Sequence, residues 1–368
     1  MADIMDYLLW RGDLGFGQSE FNEVDNLILS ELVYVEFNGI VPGPGGGEIT
    51  LSEASRLFFE RHTDEEIQAK VSSTKMAAFL MRRMAETERF SDILLSDYVN
   101  DINLDEQSQF SAVTVKLGDG RTNVVYSGTD STIVGWREDF NMIFLEHTPG
   151  QQKALAYLES AAAGTDGPLR IMGHSKGGNL AVYAATHCMQ EFHDRIEIIY
   201  SNDGPGFTDS MISLENYRKL LPRIHTIIPE SSIVGMLFEH EEEFEVVAST
   251  NSGAGQHDVM SWEVLGPELV HLNKVNEKAV ILDKSLKAWI GGMDAAGRSA
   301  LVDTLFGILD DAGISTVDDL ANMKASKLVE LLKIHSSLNK ADQEILKESL
   351  LDFLQKSGNA LYDILFKK

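Results

Sequence analysis

The sequence predicts an α/β protein with a mostly parallel central sheet and helical additions at both ends. Three observations lead there. Apolar residues recur at helical spacing up to about residue 100, then switch near Phe110 to strand-like runs. From there to Ser249, β-like and helix-like runs alternate, as parallel strands joined by helical crossovers do. Beyond Trp262 the helical period is expected to return and persist.

Taken in order, Leu27, Ile28 and Leu32 mark a first helix face, Leu57, Phe58 and Arg61 a second, and Met76, Phe79, Leu80 and Met84 a third. Pro42-Gly43-Pro44-Gly45-Gly46-Gly47 separates the first two as a loop. No Lys-Ser or Lys-Thr pair follows it, so it is a linker rather than a phosphate cradle. Residues 112–117 and 122–126 read as strands split by Gly118-Asp119-Gly120, a hairpin expected to add an antiparallel edge. Further strands are expected at 169–172, 196–200, 223–228 and 244–249, with a helix over 176–186. Near the end, Val329, Leu331 and Leu332 mark one helix, and Ile345, Leu346, Leu350, Phe353 and Leu354 another. Both read as packing faces, too acidic in context for a lipid surface. The division that follows is a helical segment over 1–109, a catalytic core over 110–270 and a helical segment over 271–368.

Charge removes whole classes of function. Asp and Glu number 57 against 31 Lys and Arg, a net charge of −26 that repels nucleic acid and anionic lipid. The single cysteine, Cys188, permits no intrachain disulfide and fits a reducing compartment. The start, Met1-Ala2-Asp3-Ile4-Met5-Asp6, lacks the basic flank of a secretory signal, and no apolar run is long enough to span a bilayer. A soluble cytoplasmic protein without stable membrane insertion is expected; its oligomeric state is not legible. No H-E-x-x-H, paired cysteines or EF-hand loop appears, so neither a metal nor a cofactor is expected.

The chemistry concentrates in Leu169-Arg-Ile-Met-Gly173-His174-Ser175-Lys176-Gly177-Gly178. Gly-x-Ser-x-Gly after an apolar strand and before a small-residue helix is the nucleophile elbow of the α/β-hydrolase fold. Ser175 needs a sharp turn to project its hydroxyl, and the flanking glycines let strand and helix approach. A base and an orienting acid should follow in the order Ser, acid, His. His187 and His193 are too close to the elbow. His225 sits inside an apolar strand, and His240 in the acidic run Glu239-His-Glu-Glu-Glu243, which looks like a solvated loop. His257, in the Gly-rich and apparently flexible loop Asn251–Asp258 beyond the last strand, is the expected base. Asp203, after the strand ending at Tyr200, is the preferred acid, with Glu230 the alternative. The N–H of Lys176, opening the helix, and that of Thr129, in Tyr126-Ser-Gly-Thr129, are the expected oxyanion donors. Cys188, at the end of the elbow helix, reads as a buried small hydrophobe.

Tyr126-Ser-Gly-Thr129 with Trp136 and Asp139, and Gly173-His-Ser-x-Gly-Gly178, resemble the oxyanion segment and elbow of fungal-type lipases. Ser127 departs from the Arg usual there, and Glu230 falls near where those lipases carry the catalytic acid. The whole chain is similar to a family of uncharacterised bacterial α/β-hydrolase proteins. That resemblance runs from Asp6-Tyr-Leu-Leu-Trp-Arg-Gly-Asp13 through Asp203-Gly-Pro-Gly-Phe207 and Ser232-Ile-Val-Gly235 to Gln256-His-Asp258 and Trp262. It implies hydrolytic machinery without a named substrate. The expected activity is cleavage of a small-molecule acyl ester, lipid esters included. A thioesterase, acyltransferase or peptidase on the same machinery, or a non-catalytic binding module, are the alternatives. By the resemblance to the lipases, Ser131 to Trp136, with part of the helical additions, is expected to form a lid over Ser175; the competing expectation is a fixed helix with Ile133 and Trp136 in the core.

Overall fold

The computed structural model describes residues 1–316, except 71, 72, 143, 312 and 314. The helical runs near Val329 and Ile345 and their neighbours lie outside the described residues. The chain begins with α1 (Ile4–Arg11) and α2 (Glu23–Leu32), then β1 (Glu48–Thr50), α3 (Leu51–Arg61), α4 (Asp64–Ala69) and α5 (Ala77–Ala85). Next come β2 (Leu94–Asn103), β3 (Ser108–Lys116), β4 (Thr122–Tyr126), α6 (Ile133–Asn141) and α7 (Pro149–Ala163). The central part holds β5 (Leu169–His174), α8 (Lys176–His187), α9 (Gln190–His193), β6 (Ile196–Asn202), α10 (Asp209–Ile212), α11 (Glu215–Leu220), β7 (Ile224–Pro229) and β8 (Phe244–Val247). The described residues end with β9 (Val264–Leu265), β10 (Glu268–Leu269), β11 (His271–Leu272), α12 (Glu277–Gly291) and α13 (Ala295–Asp311).

Nine strands form one sheet in the order β1-β2-β3-β4-β5-β6-β7-β8-β11. Strands β1 to β4 pair antiparallel, β4 to β8 parallel, and β11 antiparallel to β8. The fold is therefore α/β, with a mostly parallel sheet as expected. Because β4 to β8 advance in a single direction, right-handed crossovers put their helices on one face. One core cluster accordingly joins Ala154 and Leu158 of α7, Leu180 and Ala184 of α8 and Tyr217 of α11 to Val124, Ile171 and Ile199 of the sheet. The opposite face is covered by the N-terminal helices, with Val259, Trp262, Val264 and Leu269 joining them. Ile4, Leu27, Ile28, Ala54, Leu80 and Met84 bury it, packing with Val113, Val125, Met172, Ile227 and Val247. Period-2 alternation assigns the neighbours Val124 and Val125 to the two cores.

Two stretches differ from expectation. The antiparallel edge has four strands rather than one hairpin, because β2 is masked in sequence. Asp97 takes φ 55° where the β2–β3 register shifts, and the bulge interrupts the alternation that pattern reading needs. After Trp262 the chain does not turn directly helical: β9 and β10 form a hairpin through Gly266 (φ 67°), and β11 extends the main sheet. Strands of two residues carry no periodicity to detect.

The N-terminal cover is locked by a buried ion pair. Arg89 donates from Nε to Asp25 Oδ1 at 2.8 Å and from its terminal nitrogens to Asp25 Oδ2 and the carbonyls of Leu14, Ser19 and Glu20. Tyr7 adds an O–H donor to Asp25 Oδ1 at 2.9 Å. Both charged side chains are fully buried. Replacing Arg89 with Met should lower unfolding free energy by about 3–5 kcal/mol, since it strands a buried carboxylate and three carbonyls. Urea denaturation measures this; an unchanged midpoint contradicts it.

Candidate active site

Ser175 occupies the turn between β5 and α8 with φ 57° and ψ −130°, a conformation that costs about 1–3 kcal/mol in a non-glycine residue. The turn holds because the elements on either side are packed as closely as backbone permits. A Cβ on Gly173 would collide with the backbone of Gly177, and one on Gly177 with the carbonyl of Tyr126. The Ser175 N–H donates to Asn202 O at 2.9 Å, tying the turn to β6. Beneath it, Asn202 Nδ2 donates to Gly173 O (3.1 Å), Ser30 Oγ (3.0 Å) and Asn26 Oδ1 (3.1 Å), and Asn26 Nδ2 returns a bond to Asn202 Oδ1 (2.9 Å). Helix α2 thus braces the elbow from the sheet's other face through polar residues that hydrophobic patterning passes over.

The structure brings Ser175, His257 and Asp203 into one row. His257 Nε2 lies 3.0 Å from Ser175 Oγ, and His257 Nδ1 lies 2.6 Å from Asp203 Oδ2. An ionised carboxylate only accepts, so Nδ1 carries the proton toward Asp203 and Nε2 accepts the serine O–H. Asp203 is fully buried and sits at the end of β6 with φ 48°. Its Oδ1 accepts from Ser232 Oγ at 2.5 Å and from the Gly235 N–H at 3.1 Å. Glu230 ends up elsewhere: its backbone bonds Val247 O and the Asn276 N–H, and its carboxylate makes no hydrogen bond to His257. Ser232-Ile-Val-Gly235, a segment of the family resemblance, thus serves to hold this carboxylate.

The loop carrying His257 is pinned, not free. It forms a short helical turn over Gly253–His257; Trp262 Nε1 donates to Gln256 O at 2.8 Å, and Gln256 Oε1 accepts from the Ser231 N–H at 2.8 Å. A second brace comes from His174. Its Nε2 lies 2.9 Å from the His257 carbonyl, and its Nδ1 2.9 Å from Tyr34 Oη. A carbonyl only accepts, so Nε2 carries the proton and Nδ1 accepts from Tyr34. Burial and the neighbouring His257 hold the His174 ring well below the usual imidazole range, which keeps it neutral. Tyr34 follows α2, and sequence reading missed it entirely. One turn earlier, burial and then the Asp258 charge push the Glu31 carboxyl well above its ordinary range.

Lys176 follows the serine at the start of α8, and the loop before Thr129 approaches it at Gly128, where a Cβ would come within 3.0 Å of Ser175 Cβ. Lys176 opens α8, but its side chain turns away into the protein: Nζ donates to Gln109 O (2.7 Å), Gln109 Oε1 (2.7 Å) and Glu138 Oε2 (3.0 Å). Only its backbone is therefore available at the elbow. Thr129 Oγ1 donates to Asp139 Oδ2 at 2.6 Å, and desolvation pushes the Asp139 carboxyl up to about 6. Asp139 lies on α6, which fixes the Thr129 loop. The segment proposed as a lid is the start of this capped helix. Ile133 is buried with Val302 and Phe306 of α13, whereas Trp136 is 47% exposed and not core.

Other histidines fall as follows. His225 of β7 pairs with Glu245 of β8. His240 is not solvated: its side chain and Glu242 are both buried, because Glu242 folds inward to accept from Tyr217 and Thr226. His335 lies outside the described residues. Cys188 is buried, its thiol pushed up to about 12 by desolvation.

The Mbeg1-like family model matches residues 84–307, more than half of the chain and all of this site except Tyr34 and the α2 brace. The chain belongs to the Mbeg1-like family. No curated protein matches it. Among solved structures, this Mbeg1-like chain is similar to an M37 lipase, at 15% identity and a TM-score of 0.35, over 47% of this chain and 65% of that one. It therefore spans just under two thirds of the M37 lipase's length. It is also similar to a triacylglycerol lipase whose catalytic centre is described as a serine protease triad, at 12% identity and a TM-score of 0.35, over 62% and 78% of the two chains. Among the described residues, no helix is long and apolar enough to cross a membrane.

Proposed function

We propose that this protein is a serine hydrolase that cleaves carboxylic esters through an acyl-enzyme, with Ser175 as nucleophile, His257 as base and Asp203 as the orienting acid. What supports this is the row from Asp203 Oδ2 through His257 (2.6 Å) to Ser175 Oγ (3.0 Å), ending on a serine in strained backbone at a helix N-terminus. In the reaction, Ser175 Oγ attacks the carbonyl carbon while its proton passes to His257 Nε2. Asp203 stabilises the imidazolium, and the N–H groups of Lys176 and Thr129 take up the oxyanion charge. Collapse expels the alcohol, which receives the proton from Nε2. Water then repeats the sequence on the acyl-enzyme and releases the acid.

A pocket beside α8 lined by Met142, Leu145, Phe207, Met211 and Leu214 supports substrates with an apolar acyl group. The reduced Cys188 and the acidic surface fit action in the cytoplasm. Turnover of p-nitrophenyl esters of increasing chain length, beside matched thioesters and amides, tests the reading. Ester turnover that rises with chain length is expected. Cleavage confined to thioesters or amides replaces the substrate class, and no turnover of any acyl compound removes the reading.

Tyr34→Phe should lower kcat about tenfold, about 1.4 kcal/mol in the barrier, with KM unchanged. It leaves His174 Nδ1 without its donor and loosens the ring that holds the His257 carbonyl. Steady-state kinetics check this; a fall in stability with kcat intact would make Tyr34 purely structural.

A further inference from the structure

The row at Ser175 leaves unused a cluster at the far edge of the sheet. Glu23 opens α2, Glu245 lies on β8 and His271 on β11, and one ligand atom from each falls within 4.8 Å of the others. His271 Nε2 is 3.0 Å from both carboxylate oxygens of Glu23. Two donors bound to one zinc ion at about 2.0–2.1 Å in tetrahedral geometry stand roughly 3.3 Å apart, so this pair is already near ligand spacing. Glu245 needs only a side-chain adjustment to complete the set. Each carboxylate is also oriented from behind, as metal ligands generally are. Glu23 Oε1 accepts the Leu269 N–H at 2.6 Å, and Glu245 Oε1 lies 2.5 Å from His225 Nδ1.

We propose that Glu23, Glu245 and His271 bind a divalent transition-metal ion, with water in the remaining positions and His225 orienting Glu245. One imidazole nitrogen and two carboxylates suit zinc or manganese better than calcium or magnesium, which favour all-oxygen sites. The two carboxylates concentrate negative charge in a chain already at −26, so the electrostatic field favours a cation there. The ion's role is a clip. It joins α2, which braces the elbow through Asn26, to the strand edge formed more than two hundred residues later, and so holds the N-terminal cover closed over its face of the sheet. None of its ligands belongs to the Ser175 row, so the inference stands independently of the hydrolase reading.

The test is calorimetric titration of the full chain, freed of any affinity tag and treated with chelator, with zinc sulfate, paired with thermal unfolding. One equivalent binding in the micromolar range is expected, with an unfolding midpoint raised by several degrees. His271→Ala and Glu245→Gln should each weaken that binding at least tenfold and remove the shift, while unfolding like the wild type in chelator. His187→Ala, at the separate His147–Tyr183–His187 cluster, should change neither. No binding by the wild type, or binding that survives either ligand substitution, overturns the proposal. His271→Gln, at a side chain 41% exposed, serves should the alanine variant fail to fold.

Discussion

Ser175→Ala should lower kcat on a reactive ester about a million-fold, the scale on which removal of a triad nucleophile acts. The remaining rate comes from binding and from the oxyanion donors, so it should still exceed the uncatalysed rate by roughly 10³–10⁴. The fold should be unaffected. Alanine meets the same left-handed backbone cost as serine at φ 57°, and the bonds that hold the turn, Ser175 N–H to Asn202 O and Gly178 N–H to Ser175 O, are made by backbone. Kinetics with unfolding measured in parallel separate the two effects. A variant that retains more than about a thousandth of the wild-type rate places the chemistry elsewhere.

Asp203→Asn should lower kcat by about 10⁴, with a small effect on KM, and Glu230→Gln should leave both unchanged. The reason lies in the hydrogen bonds already made to the carboxylate. One oxygen receives Ser232 Oγ–H and the Gly235 N–H, so an asparagine must keep its carbonyl oxygen there and turn its NH2 toward His257. A donor facing Nδ1 forces the ring into the other tautomer, which presents an N–H to Ser175 and has no lone pair to take its proton. Ser232→Ala should be much milder, since the Gly235 N–H and His257 still fix the carboxylate. Equal and small losses for Asp203→Asn and Glu230→Gln contradict this assignment, and a larger loss for Glu230→Gln transfers the role.

Sequence patterning reached the parts of the structure built from regular repetition. Strands β3 to β8 and helix α8 lie where apolar alternation and the Gly-x-Ser-x-Gly frame put them, because buried strands and close strand–helix contacts leave few residue choices. Ser175, His257 and Asp203 were candidates by residue type and chain order, and they lie together. What was hidden depends on tertiary contact. Asn26, Ser30 and Tyr34 read as polar interruptions of a helix and its exit, and only packing under the elbow gives them partners. His240 looked solvated in a run of acids because charge density predicts exposure, until Glu242 finds three buried donors. Which face of the sheet the N-terminal helices cover is likewise a tertiary matter: crossovers advancing in one direction leave the other face open, and the N-terminal helices fill it together with Val259, Trp262, Val264 and Leu269.

The central claim is that Ser175 is an activated nucleophile, and fluorophosphonate labelling reads it most directly. The folded protein, incubated with the probe and digested, should carry the adduct on the peptide containing Gly173-His174-Ser175-Lys176, with modification slowed by Asp203→Asn and abolished by Ser175→Ala. A folded wild type that takes up no probe, or an alanine variant that is labelled as readily as the wild type, contradicts the account.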